Sequence, residues 1–162
     1  MARVYISVGS NISGEKNIRS GIAALRNSFG NLILSSVYES EAVGFEGENF
    51  YNLVVGCEVA FDVPSMMHML REIEVQHGRE RSGPRFSSRT LDLDLLLYDN
   101  VIKKERHFEL PRDEITKFAF VLEPLAEIAP DLKHPVTGAT MADLWNSFDK
   151  SLQPLWRIKF IW

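Results

Sequence analysis

Asp92 and Asp94 stand two residues apart in the stretch Arg89-Thr90-Leu91-Asp92-Leu93-Asp94-Leu95-Leu96-Leu97-Tyr98. In a strand, side chains at i and i+2 share a face. The two carboxylates therefore point one way, and Leu91, Leu93, Leu95 and Leu97 point the other way, into a core. A carboxylate on such an apolar strand is costly to bury unless it is paired or binds a metal. Just upstream lie Arg79, Arg81, Arg85 and Arg89. Acids for a hard cation beside guanidiniums for an anion suit a Mg-nucleotide, because Mg²⁺ is commonly held by carboxylates together with substrate phosphates. Arg grips phosphate through a planar fork. An Asp-x-Asp pair alone also fits a solvated sheet edge, and an Arg-rich loop alone fits a solvated face. Contiguity of the two favours the ligand reading.

Other candidates are less specific. Gly9-Ser10-Asn11 follows a strand and could present backbone N–H groups to phosphate, but ordinary turn chemistry is the favoured explanation. Asn52 lies inside a strand, where its amide needs partners. It holds a neighbouring loop or reads the edge of a heterocycle. Glu74 precedes the Arg-rich loop by one helical turn and can pair with an arginine or meet a ribose hydroxyl. His68, His77 and His134 lack metal-ligand spacing and read as structural or solvated. Cys57, the single cysteine, sits in an apolar run and reads as a core thiol.

The elements that must position these residues follow from periodicity. A first strand covers 4–8. Ser13 is a plausible N-cap for a helix whose Ile18, Ile22, Leu25 and Phe29 form one stripe, stopped by Gly30. A second strand covers 32–39, a long polar loop 40–49, and a third strand 50–59. Asp62 caps a second helix with Pro64 in its first turn; Met66, Met67, Leu70 and Ile73 face the core and Gly78 ends it. The acid strand follows, then a polar connector, short helices at 122–128 and 141–148, and a tail that is either an edge strand or an apolar arm. The order strand-helix-strand-strand-helix-strand predicts an α+β, ferredoxin-like split βαβ (βαββαβ) core with extra C-terminal helices.

At 162 residues the chain fits one domain, 1–162. Hydrophobic residues make up 45%, and the net charge is −4. This composition is globular and argues against general nucleic-acid binding, which leaves a basic footprint. No signal peptide and no apolar run of about 18 residues is present, so the cytoplasm and no membrane contact are expected.

The chain resembles one family, the 6-hydroxymethyl-7,8-dihydropterin pyrophosphokinases of folate synthesis. The resemblance runs from Val4-Tyr5-Ile6-Ser7-Val8-Gly9-Ser10-Asn11, through Asn49-Phe50-Tyr51-Asn52, Gly78-Arg79 and Arg89-Thr90-Leu91-Asp92-Leu93-Asp94, to Phe120-Val121-Leu122-Glu123-Pro124-Leu125-Ala126-Glu127-Ile128-Ala129-Pro130. It implies transfer of the terminal pyrophosphoryl unit of ATP to a pterin hydroxymethyl group, with release of AMP. By the same resemblance, Asp92 and Asp94 would bind two Mg²⁺ ions, and Arg79 and Arg89 would hold phosphates. Asn52, Phe50, Phe120 and the backbone of the loop at Ser40 and Val43 would receive the pterin. Glu74, Arg81, Arg85, Phe86 and Arg112 would lie around the nucleotide. The implied partners are ATP and 6-hydroxymethyl-7,8-dihydropterin. The chain is expected to be a monomer, with its tail as a route to a homodimer.

Three positions depart from the family pattern. Ser87-Ser88 stands where Gly-Pro usually precedes the signature Arg, Arg112 stands where a His is common, and Phe118 where an Arg is common, with Lys117 beside it as a substitute. They motivate a rival reading, a pterin- or nucleotide-binding paralogue with weak or no catalysis. A ferredoxin-like regulatory or RNA-binding module ranks last, because aromatic-basic strand motifs are missing.

Overall fold

Val4, Ile6 and Val8 are without solvent exposure, as their alternation predicts. They belong to β1 (Ala2–Ser10), which runs on through Gly9 and Ser10. The computed structural model describes residues 1–42, 47–78 and 90–162. After β1 come α1 (Gly14–Phe29), β2 (Ile33–Leu34), β3 (Val37–Ser40), β4 (Phe50–Val59), α2 (Val63–Gln76) and β5 (Asp92–Tyr98). A small hairpin of β6 (Lys103–Lys104) and β7 (Glu109–Leu110) leads to a 3-10 turn, Asp113–Thr116. The chain closes with α3 (Ala119–Ile128), α4 (Met141–Asn146) and β8 (Leu155–Ile158).

The main sheet has the order β5-β1-β4-β3-β8, with β2 also on β4. Every pairing is antiparallel. This is the ferredoxin-like arrangement, extended at one edge by β8. Hydrophobic side chains of both sheet faces need cover. On the first face, Ile6, Val8, Leu53, Val55, Leu93 and Leu95 pack with Ile18, Ile22 and Leu25 of α1 and with Met66, Leu70 and Ile73 of α2. On the second, Tyr5, Val54, Leu96 and Leu97 pack with Val121, Leu122 and Leu125 of α3 and Met141 of α4. The additional C-terminal helices thus form a third layer.

Several local expectations change. Leu97 does not face the core of Leu91, Leu93 and Leu95. The register of β5 on β1 passes from Tyr5↔Leu97 to Ile6↔Leu95, which leaves Leu96 as an extra residue, and both Leu96 and Leu97 join the second core. A bulge of this kind resets the alternation beyond it. The second strand divides at Ser35. Its N–H donates to Val54 O at 3.0 Å, and its hydroxyl accepts from Val54 N at 2.9 Å. The hydroxyl takes a ladder position a carbonyl would fill, and Ser36 turns its N–H out of the sheet towards Glu127. Ser13 occupies the start of α1 but makes no side-chain cap, because its backbone is left-handed at φ 47°. A capping hydroxyl works from extended backbone. Asp62 has that backbone and accepts from Ser65 N.

Helix α3 begins earlier than expected and α4 ends earlier, where Thr140 Oγ1 accepts from Asp143 N to start it. The tail takes the edge-strand form along β3. It then folds over α1, where Arg19 Nε donates to Ile161 O at 2.6 Å.

Candidate functional site

The register places one row of residues across the sheet. Asp92 stands opposite Gly9, Gly9 opposite Asn52, and Asn52 opposite Tyr38. Directly paired residues share a face, so this row lies on the second face, together with Asp94, Ser7, Phe50 and Ser40. Helix α3 covers the half of that face around Tyr5, Val54, Leu96 and Leu97. The half towards the end of β1 and the start of β5 carries Asp92, Asp94, Asn52, Phe50 and Ser40. Phe120, at the start of α3, packs against the second core and stacks on Phe118 with centroids 5.1 Å apart.

Asp92 and Asp94 are half-buried, so neither is fully hydrated nor sealed off. Among the described residues, no trio of His, Cys, Asp or Glu side chains gathers as a metal cage. Two half-buried acids on one face fit a Mg²⁺ ion that takes its remaining ligands from phosphates and water.

Gly9 explains how Asn52 lies. A Cβ on Gly9 would come within 2.6 Å of Asn52 Oδ1, so the amide rests directly over the glycine backbone. Asn52 itself is only 5% exposed. A glycine inside a strand often marks such a close approach, and that signal was available in the sequence. The neighbouring turn is structural: Ser10 Oγ donates to Thr90 O, and Asn11 Nδ2 donates to Glu48 O at 3.2 Å.

Glu74 is 1% exposed, and its Oε2 accepts from Leu93 N at 2.9 Å. The bond fixes α2 to β5 between the two aspartates, so Glu74 supports the acid strand from behind. Arg112 reaches the site from the loop after β7. Its N–H donates to Leu96 O at 2.9 Å. Its Nη2 lies 2.8 Å from Glu114 Oε1 and 3.5 Å from Asp94 Oδ1. Burial alone would lower its pKa, but Asp94, Glu114 and, more weakly, Asp92 hold the guanidinium above its ordinary value. Glu114 gave no sequence signal, since only the 3-10 turn folds it back beside Arg112. Phe118 packs on Phe120, and Lys117 Nζ is bonded to Asp113 Oδ2 at 2.7 Å. Val43, Arg79, Arg81, Arg85, Phe86, Ser87, Ser88 and Arg89 lie outside the described residues.

The histidines read as structural keep that role where they are bonded. His134 Nδ1 accepts from Val136 N and Thr137 N, and His77 lies between Ile73 O and Ser20 Oγ.

Comparison with known proteins gives the family. A family model described as 7,8-dihydro-6-hydroxymethylpterin-pyrophosphokinase (HPPK) matches residues 5–130. The chain is 30% identical over 138 residues to 2-amino-4-hydroxy-6-hydroxymethyldihydropteridine pyrophosphokinase of Aquifex aeolicus, covering 84% of this chain and 86% of that protein. Against the enzyme of the same name from Bacillus subtilis it is 32% identical over 139 residues, covering 83% of each. It is also 31% identical to the folic acid synthesis protein fol1 of Pneumocystis carinii, over 94% of this chain but only 21% of that longer protein. Among solved structures, Plasmodium falciparum HPPK-DHPS matches with a TM-score of 0.70 at 15% identity, over 90% of this chain and 43% of that one. That likeness speaks to the fold alone. With most of its length matched by the family model and more than four fifths of two bacterial relatives covered, the chain belongs to the 7,8-dihydro-6-hydroxymethylpterin-pyrophosphokinase family.

Proposed function

We propose that this chain, as a single domain over 1–162, transfers pyrophosphate from ATP to the hydroxymethyl group of 6-hydroxymethyl-7,8-dihydropterin, releasing AMP, and does so in the cytoplasm as a step of folate biosynthesis. The observation that carries the reading is the cross-strand row that sets Asp92 beside Gly9 and Asn52 on one half-face of the sheet. Phosphoryl transfer is mostly positioning and charge neutralisation, and this surface offers both. Asn52 reads the pterin edge with one donor and one acceptor. Phe50 and Phe120 supply apolar surface for the ring, and the backbone at Ser40 and Val43 borders it. Asp92 and Asp94 hold two Mg²⁺ ions, which when bound would neutralise the triphosphate and acidify the attacking hydroxyl. Arg79, Arg81, Arg85, Arg89 and Arg112 receive phosphate oxygens, and Phe86 closes over the nucleotide. Glu74 is a positioning residue for β5.

The test is AMP release from ATP and Mg²⁺, with and without the pterin. AMP that forms only with the pterin is expected. Asp94→Ala should lower the rate by about a hundredfold or more, as loss of one charge-stabilising group does, with an unchanged far-UV spectrum. Pterin binding without AMP would overturn the transferase reading and favour a binding paralogue.

A further inference from the structure

We propose that Arg112 is an internal stand-in for the metal at Asp94, and that its transfer from Asp94 to an incoming phosphate couples metal binding to nucleotide binding. The inference rests on the reading of Asp92 and Asp94 as metal ligands.

One atom carries the geometry. Arg112 Nη2 sits between two carboxylates, 3.5 Å from Asp94 Oδ1 and 2.8 Å from Glu114 Oε1. A guanidinium at that range from Asp94 already supplies positive charge where a divalent cation would. Arg112 is 30% exposed at its side chain and Asp94 23%, so bulk salt screens the pair incompletely. A metal approaching Asp94 therefore meets a like charge that must withdraw. Glu114 makes withdrawal possible without stranding the guanidinium, because the nearer of the two contacts is to Glu114. The backbone stays fixed, since the Arg112 N–H is bonded to Leu96 O on β5. The same side chain has a donor in reserve. Its Nε is buried and has no hydrogen-bond partner among the described residues. A buried donor without a partner is costly, and a phosphate oxygen is the acceptor the proposed reaction brings to this place. A nucleotide carrying its own metal satisfies both needs together. The phosphate takes the arginine, and the metal takes the aspartate. A free metal ion can do only the second, against repulsion.

The experiment titrates Mn²⁺ alone into the protein, followed by the free-ion electron paramagnetic resonance signal, and then titrates α,β-methylene-ATP at saturating Mn²⁺. Arg112→Gln should bind free Mn²⁺ about five- to tenfold more tightly than the native chain, the low end of ordinary site-to-site coupling, while binding the nucleotide analogue more weakly. These opposite signs are the signature. A side chain that only contacts phosphate leaves free-metal affinity unmoved, and one that only shapes the loop weakens both; either result overturns the proposal. Arg112→Lys, which keeps a charge, should retain native weak Mn²⁺ binding and guards against misfolding of the Gln variant. Asp94→Ala separates the two readings. If it leaves Mn²⁺ binding unchanged, the metal assignment itself has failed; if it abolishes binding while Arg112→Gln has no effect, only the stand-in role has failed.

Discussion

A Cβ placed on Gly9 would stand 2.6 Å from Asn52 Oδ1 and 3.8 Å from Tyr51 O. The first contact is far inside van der Waals range, so Gly9→Ala must push the amide off its position. The strand itself should survive, because Gly9 keeps its register opposite Asn52 and Asp92. Gly9→Ala and Asn52→Ala are therefore expected to share one phenotype. Each should raise the pterin KM about tenfold, the scale of one hydrogen-bonding group lost from a site, and leave the ATP KM close to native. Steady-state kinetics with each substrate varied in turn checks this. A Gly9→Ala variant with native pterin KM would remove Asn52 from the proposed pterin contact. At this scale the sequence was readable where spacing alone decides. Asp92 and Asp94 share a face because a strand has a period of two. It was not readable where long side chains choose among partners, as with Arg112 between Asp94 and Glu114.

Helix α3 can form the third layer only if it is fixed to the sheet, and Glu127 fixes it. Its carboxylate accepts from Ser36 N and Ser36 Oγ, and from Tyr38 OH at 2.6 Å, with Arg157 Nη2 at 3.9 Å. Burial alone would raise the Glu127 pKa, yet the bonds from Tyr38 and Ser36 and the charge of Arg157 outweigh it and leave the pKa below its ordinary 4.5. A depressed carboxylate contributes stability that is present above its unfolded pKa and lost as pH falls through the folded value. Glu127→Ala should thus cost about 1–3 kcal/mol at pH 7, the range for stranding buried partners of one group. In strong acid, where native Glu127 is protonated, the deficit should shrink. Urea unfolding of both proteins at the two pH values checks this; a deficit that does not change with pH would mean that Glu127 acts by packing, not by charge. The same contacts show what periodicity misses. The apolar stripes predicted α1 and α2, and the alternation predicted β1 and β4. The division of β2 from β3 arises from a serine hydroxyl filling a backbone position, and the turn of Leu97 from one extra residue in β5. Neither leaves a mark in a hydrophobic pattern.

At the scale of the molecule, β1, β4 and β5 serve two cores at once. Leu53 faces α1 and α2, while its neighbour Val54 faces α3. Neither helical layer can leave without baring one side of the same strands, so we propose that both layers melt together as one cooperative unit. The tryptophans make this measurable. All three, Trp145, Trp156 and Trp162, lie in the C-terminal part of the chain, beyond α3. Trp145 packs on the second core, whereas Trp162 lies on Phe160 against the first; in a Trp156→Phe, Trp162→Phe background the fluorescence therefore reports the C-terminal layer, whereas the far-UV signal reports every helix and strand. In that background Leu53→Ala creates a cavity on the first face, in the layer opposite Trp145. It should destabilise the protein by about 2–5 kcal/mol. If the sheet links the two layers, the fluorescence and far-UV midpoints in urea must fall together and by the same amount. A fluorescence transition that stayed at its native midpoint while the far-UV transition moved would show the C-terminal layer to be an independent unit. The site would then span two units that unfold separately, since Phe120 belongs to α3 and Asp92, Asp94 and Asn52 to the shared strands. Coincident transitions would instead mean that a substitution anywhere in either core loosens the pterin and metal contacts together.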